Sequence, residues 1–255
     1  MRRVIALALA LVAAALPARA EEVLLGLSHT RVALTTTFEG SEILIFGAIA
    51  RDAPVPAEAE PLAVIVALQG PRQRLTVWRK ARRAGIWMNV EGARVSRAPS
   101  FYALASSAPL AEVLSATEDL RHEISIPRAI RAIGAVAAVP DAPAFTEALI
   151  RLRSDTGHYQ LHEGGVELTR DTLFRTTVTL PANLTEGTYA ARVFLTRGGQ
   201  VIDRFETGID VRKAGIEAWL FNLANEQPLA YGLLAVFLAV AAGWGASAAF
   251  RFLRS

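Results

Sequence analysis

The hydrophobic pattern divides the chain into strand-like runs, an Ala-rich helical middle, further strands and one long apolar run near the C-terminus. Val23 to Ser28, Arg31 to Thr37 and Glu42 to Ile49 have strand length and composition, with Glu39-Gly40-Ser41 turning between the last two. Ala50 to Pro61, with three prolines and several acidic side chains, predicts a loop. Leu62 to Leu68 is continuously apolar, as expected of a central strand, and Gln69-Gly70-Pro71 ends it. Arg74 to Lys80 and Ile86 to Val90 predict two strands around a basic turn, Ala81 to Gly85.

From about Pro109 to Thr156 the period changes to that of a helix. Pro109 to Leu120 fits one helix, with Leu110, Val113, Leu114 and Thr117 on one side. Pro127 to Val136 fits a second, and Ala142 to Arg153 a third that spaces Phe145, Leu149 and Leu152 along one face. Strands return at Leu173 to Leu180, Thr188 to Thr196 and Val201 to Val211, and Arg197-Gly198-Gly199-Gln200 is a hairpin turn between the last two.

Strands, then helices, then strands fit either two domains or one sandwich with a helical insertion at about residues 107–157. The segment from Leu180-Pro181 to Gly187-Thr188-Tyr189 favours the second. A strand ending in Pro, a short loop, then Gly-x-Tyr opening the next strand is the pattern of an immunoglobulin-like corner. Tyr189 takes the corner position, and Ala191 falls two residues on, where antibody domains carry a cysteine. The expected fold class is mainly β with a helical insertion (α+β): an immunoglobulin-like β-sandwich over residues 21–213. Asn183-Leu184-Thr185 has the form of a glycosylation sequon, but in this turn it reads as coincidence.

Pro228 to Phe250 carries no charge over 23 residues. As a helix it would cover roughly 34 Å, enough to cross a hydrocarbon core. Arg251 and Arg254 follow it, whereas Asn225, Glu226 and Gln227 before it bring no positive charge. By the positive-inside rule the tail, residues 251–255, is cytoplasmic, and the body lies on the exported side. Residues 214–227 form a juxtamembrane segment. At the other end Met1-Arg2-Arg3, the apolar run Val4 to Leu16 and Ala18-Arg19-Ala20 have the order of a secretory signal peptide, cut before Glu21. The pattern predicts a single-pass type I protein of the cell inner membrane with its body in the periplasm. Within the span, Ala235, Ala239 and Gly243 recur every four residues, a small-residue line suited to helix packing in lipid. Trp219 and Tyr231 would lie near headgroup depth.

This topology changes the meaning of the charge. The net +3 of the whole chain disappears once Arg2, Arg3 and Arg19 are removed. Without Arg251 and Arg254 as well, the exported body has 22 bases against 24 acids. The high isoelectric point is therefore no sign of nucleic acid as a partner. With no cysteine in the chain, a disulfide framework, thiol catalysis and Cys-based metal sites are excluded.

Candidate chemistry is concentrated in one place. Pro61 to Val90 contains no acid, while Arg72, Arg74, Arg79, Lys80, Arg82 and Arg83 fall close together, followed by Trp87 and Asn89. Guanidinium forks suit carboxylate, sulfate or phosphate-like oxyanions. Three readings stay open: a solvated hairpin pairing with Glu39, Glu42, Glu58 and Glu60, a protein or lipid contact, and a small-anion site. Arg79, Lys80, Arg82, Arg83, Trp87 and Asn89 are the candidate contact residues. His158 and His162 lack a helical face and read as exposed loop histidines rather than metal ligands. No nucleophile elbow, phosphate-cradling loop or placed acid/base pair occurs, so no catalytic residue, metal or cofactor is expected and the chain reads as a non-enzyme.

These residues also carry a resemblance. Leu27-Ser28-His29, Phe38-Glu39-Gly40-Ser41-Glu42, Phe46-Gly47-Ala48, Gln69-Gly70-Pro71, Arg79-Lys80, Ala84 to Asn89, Pro99 to Ala103 and Tyr231-Gly232 resemble a family of uncharacterised alphaproteobacterial single-pass transmembrane proteins. The likeness covers nearly all of the chain after residue 20. It implies no reaction. Members of that family tend to be encoded beside permeases of the sulfite-exporter type. That implies, by association only, an accessory role beside a permease for sulfur oxyanions. The expected partners are the lipid bilayer and another integral membrane protein. The alternative is a receptor-like binder of a small oxyanion at the basic hairpin.

Overall fold

The structure, a computed structural model, describes residues 21–34, 40–51, 60–130, 142–213 and 216–253. The expected signal segment and most of the Ala50–Pro61 loop lie outside these residues. The strands are β1 (Glu21–Leu27), β2 (Arg31–Leu34), β3 (Gly40–Arg51), β4 (Leu62–Gln69), β5 (Arg72–Arg83), β6 (Ile86–Pro99), β7 (Tyr102–Ser106), β8 (Tyr159–Glu163), β9 (Glu167–Thr169), β10 (Leu173–Pro181), β11 (Gly187–Arg197) and β12 (Gln200–Lys213). They form a four-stranded sheet in the order β1-β3-β10-β9, a six-stranded sheet β2-β12-β11-β4-β7-β8, and a separate ribbon β5-β6. The chain is mostly β, with a few helices and one long apolar helix toward its C-terminus.

The two larger sheets pack face to face, and period-two alternation builds the core between them. β10 buries every second residue: Phe174, Thr176, Val178 and Leu180 point inward, while Leu173, Arg175, Thr177 and Thr179 face out. Ile43, Ile45 and Ile49 of β3 meet Val193, Leu195, Ile209 and Val211 from the other sheet in one core. β4 shows why its run is apolar without a break. Leu62, Val64, Val66 and Leu68 enter this core, whereas Ala63, Ile65 and Ala67 enter a second one on the outer face, covered by helices. Both faces are buried, so no position can be polar without a partner.

Tyr189, at the start of β11, is buried and bonded to nearby backbone. The ring is buried at 1% exposure, and its hydroxyl donates to Thr185 O at 2.9 Å. Ala191, two residues on, is fully buried. The expected hairpin turn after Arg197 places Gly198 and Gly199 at φ +57° and +74°, the paired left-handed conformation of a type I′ turn.

The helical middle differs in detail. The single helix expected over Pro109–Leu120 is two, α1 (Leu110–Val113) and α2 (Ala116–His122), broken where Leu114 turns extended. Ser115 accounts for the break: its hydroxyl caps Glu118 N, and its backbone N–H donates to Gly199 O. Thr117 is accordingly exposed and Glu118 buried. The second helix is a single turn, α3 (Ile126–Ala129), ended by an extended Ile130; residues 131–136 of the expected helix lie outside the described residues. The third is α4 (Ala142–Asp155), with Phe145 and Leu149 buried but Leu152 exposed.

Arg192 of β11 fastens this insertion to the sheet. Its guanidinium donates to His122 O at 3.0 Å and Glu123 O at 3.2 Å, part-buried carbonyls at the end of α2, and to Tyr102 Oη at 2.8 Å. Tyr102 Oη in turn donates to Ile124 O at 2.6 Å. At the start of β1 Glu21, itself buried, accepts from Arg51 and Arg197, both at 2.9 Å.

Candidate functional site

The basic segment forms a longer ribbon than its local pattern predicts, because its pairing continues that of the sandwich. Beyond the β4–β7 pair, Gly70 N donates to Phe101 O at 2.8 Å and Ser100 N to Pro71 O at 2.9 Å. The β5–β6 register then starts at Arg72↔Pro99 and ends at Arg83↔Ile86. Gly70 is required at the junction: a Cβ there would lie 2.6 Å from Ser100 Oγ and 2.9 Å from the Tyr189 ring. The turn is Ala84–Gly85, both at positive φ, so the strands run on through the stretch expected to be turn.

The lower ribbon is anchored. Val77, Ala93, Val95 and Ala98 are buried in the second core with Phe145 and Leu149 of α4. The Trp78 ring lies over Gly92, where a Cβ would sit 2.8 Å from ring carbons. Arg79 faces Glu91 directly across the ribbon, at 3.1 Å, and its guanidinium stacks 4.9 Å from the centre of the Phe145 ring. A groove of about 660 Å³ between β5 and α4 is lined by Trp78, Arg79, Lys80, Phe145 and Arg151 among others.

The upper ribbon has no such cover. Ile86 is 61% exposed, Trp87 71%, and Met88 and Val90 are exposed as well. Lys80, Arg82, Arg83 and Asn89 are exposed between them. Lys80 pairs in register with Asn89, and Arg82 with Trp87. Arg82 donates to Gly85 O at 3.2 Å, closing the turn. The ribbon thus brings all six sequence-predicted contact residues onto one projecting element. The carboxylates that the described residues supply to it are not those expected: Glu91 serves Arg79, and Glu123 serves Arg72 at 3.1 Å. Glu39 and Glu58 lie outside the described residues.

His158 corrects another expectation. It is buried, not exposed, with Nδ1 2.9 Å from Thr156 Oγ1 and Nε2 3.3 Å from Asn183 O. It ties the start of β8 to the Tyr189 corner. His162 lies on β8, exposed, 3.3 Å from Gln160 Oε1. Among the described residues no group of three His, Asp or Glu side chains is arranged to hold a metal.

After β12 the chain forms α5 (Ile216–Glu226) and α6 (Pro228–Leu253). Helical hydrogen bonds from Gln227 N to Leu223 O and from Tyr231 N to Gln227 O link the two. α6 has 26 residues, about 39 Å of helix. None of residues 228–247 is buried, and Leu229, Leu233, Phe237, Val240 and Trp244 are all exposed. A core helix would bury one face. An apolar helix bare on every side instead has the length and surface of a membrane span. Ala235, Ala239 and Gly243 lie along one line of it, exposed, and a Cβ at Gly243 would meet nothing within 4 Å. Trp219 of α5 is exposed too.

No curated protein and no solved structure matches the chain. A family model described as "Putative transmembrane protein (Alph_Pro_TM)" matches residues 22–252, from the first strand to the end of α6. The chain belongs to this transmembrane protein family.

Proposed function

We propose that the protein is a membrane-anchored accessory protein: an exported, immunoglobulin-like sandwich, released from its signal peptide and held on one helix, that docks to another integral membrane protein. The strand order supports the immunoglobulin-like reading. β1-β3-β10-β9 corresponds to strands A-B-E-D, and β12-β11-β4 to G-F-C, with Tyr189 at the E–F corner. The observation that carries the docking role is α6, whose bare surface includes the small-residue line Ala235, Ala239 and Gly243. In this reading the body faces the periplasm, the tail faces the cytoplasm, and the partner is a permease-type protein for sulfur oxyanions. The permease rests on the family resemblance alone.

The experiment is cross-linking of the full chain in native membranes, followed by co-purification in mild detergent. One integral membrane protein recovered in fixed proportion is the expected result. Recovery of the chain alone, cross-linked only to itself, would refute the docking role.

A second reading has one observation of its own. The groove between β5 and α4 sets Arg79, Lys80 and Arg151 around one concavity, a setting for a small oxyanion. Calorimetry of the full chain with sulfate or sulfite tests it: saturable heat lost on Lys80→Ser and Arg151→Ser supports binding there.

A further inference from the structure

We propose that the tip of the β5–β6 ribbon, from Arg79 to Val90, is seated in the anionic headgroup layer of the membrane that α6 crosses. The proposal deepens the anchored reading above and rests on α6 being inserted.

Composition is the first support. Residues 72–99 hold eight Lys and Arg against one carboxylate, Glu91, whereas the rest of the body has 14 bases against 23 acids. Between the exposed cations Lys80, Arg82 and Arg83 stand the exposed Ile86, Trp87, Met88 and Val90. A solvated ribbon has no use for four large apolar side chains at its end, and an isolated two-stranded ribbon is marginal in water. Indole rings and cations side by side suit the layer where phosphate meets acyl chain. The aliphatic side chains could enter below the phosphates while the Arg and Lys heads stay among them.

Placement is the second support. β4 pairs its last residue, Gln69, with Ala190, and β12 pairs Val211 with Gly187. The end of β4, the start of β11 and the end of β12 are therefore at one end of the sandwich. The ribbon starts from that end, and the chain leaves for α5 from the same end. The tether is short: Lys213 is followed by α5 at Ile216, whose 11 residues span about 17 Å as a helix. The two strands of the ribbon have 12 and 14 residues, and the shorter spans about 40 Å when extended. The ribbon is longer than its body's tether, so the bilayer surface is within its reach.

The chain lacks cysteine, so Trp87→Cys gives one labelling site at the tip. The full-length variant carries an environment-sensitive fluorophore there and is reconstituted into vesicles of phosphatidylcholine alone or with phosphatidylglycerol. Leu161→Cys, exposed on β8, is the reference site. Each cation held at an anionic surface favours it about fivefold. With phosphatidylglycerol the tip label should therefore shift to the blue, be quenched by brominated lipid and be shielded from iodide, while the reference stays accessible. Shielding should weaken in about 1 M salt, where screening shortens to about 3 Å. It should be lost in Lys80→Ser/Arg82→Ser/Arg83→Ser, which spares the Arg79 contacts and needs only an unchanged melting midpoint to be read.

Equal iodide access in both vesicle types overturns the proposal. So does shielding seen only in native membranes, which would make a protein the occupant, or a disulfide-linked dimer of unlabelled Trp87→Cys, which would make it a second copy. Loss of the chain from the vesicles on carbonate extraction would instead refute the anchor reading on which the proposal rests.

Discussion

Arg192→Met tests how the helical insertion is held. The substitution keeps the apolar stem beside Phe194, 5.4 Å from the guanidinium carbon, and removes three charge-assisted hydrogen bonds, to His122 O, Glu123 O and Tyr102 Oη. At about 1.5 kcal/mol each, the low end for charged donors, these amount to about 5 kcal/mol. Against this stands a relief. Arg192 Nε is buried without a partner among the described residues, and releasing one such group returns about 1–3 kcal/mol. The expected net loss is about 2–4 kcal/mol, on the order of 10 °C in the melting midpoint for a chain of this size. The assay is thermal unfolding of the full chain in mild detergent, followed by near- and far-ultraviolet circular dichroism. Tyr102→Phe removes the other half of the same network, so the double variant should lose less than the sum of the two single ones. A loss below about 0.5 kcal/mol, the scale of an ordinary surface substitution, would refute the clamp.

Tyr189→Phe deletes the corner bond to Thr185 O and should cost about 1 kcal/mol; an unchanged midpoint would remove the corner's role. Alkali provides a separate test of the core. Burial pushes the hydroxyls of Tyr102 and Tyr159 from 10.0 up to about 12. Their contribution is whole below pH 10 and is lost as pH rises toward 12, because the unfolded chain gives up these protons first. Two units correspond to roughly 3 kcal/mol for each ring. A tyrosinate absorbance titration should therefore show these two rings ionising near pH 12 in the folded chain, and ionisation near pH 10 without unfolding would contradict their burial. Ala239→Leu/Gly243→Leu keeps the span apolar but fills the small-residue line. It should insert normally and lose the cross-linked partner; capture at the parental level would make α6 an anchor only.

The sequence was most legible where one physical rule acts alone. β10 alternates because one face is wet, and β4 is apolar from Leu62 through Leu68 because neither is. The Tyr189 corner needs only a short loop and one aromatic ring. The helix break at Ser115 was also within reach, since Ser115 and Glu118 have the spacing of a capping box. The local pattern does not announce β7, β8 or β9. β8 reads Tyr-Gln-Leu-His-Glu, too polar to announce a strand, and forms by parallel pairing with β7 more than fifty residues earlier. Arg192 and Glu21 were illegible for the same reason: their partners are set by the fold, Glu21 lying 176 residues from Arg197. At the ribbon the residue types were apparent, but its length was not. That length comes from pairing inherited across Gly70 and Ser100.

The central claim, an exported body on a single membrane helix, is tested most directly by accessibility of single cysteines placed in this cysteine-free chain. Leu161→Cys reports on the body and Ser255→Cys on the tail. With a membrane-impermeant maleimide, intact spheroplasts should label position 161 and not 255, and inverted inner-membrane vesicles should label 255 and not 161. The reverse pattern, or labelling of both positions from one side, would contradict the account.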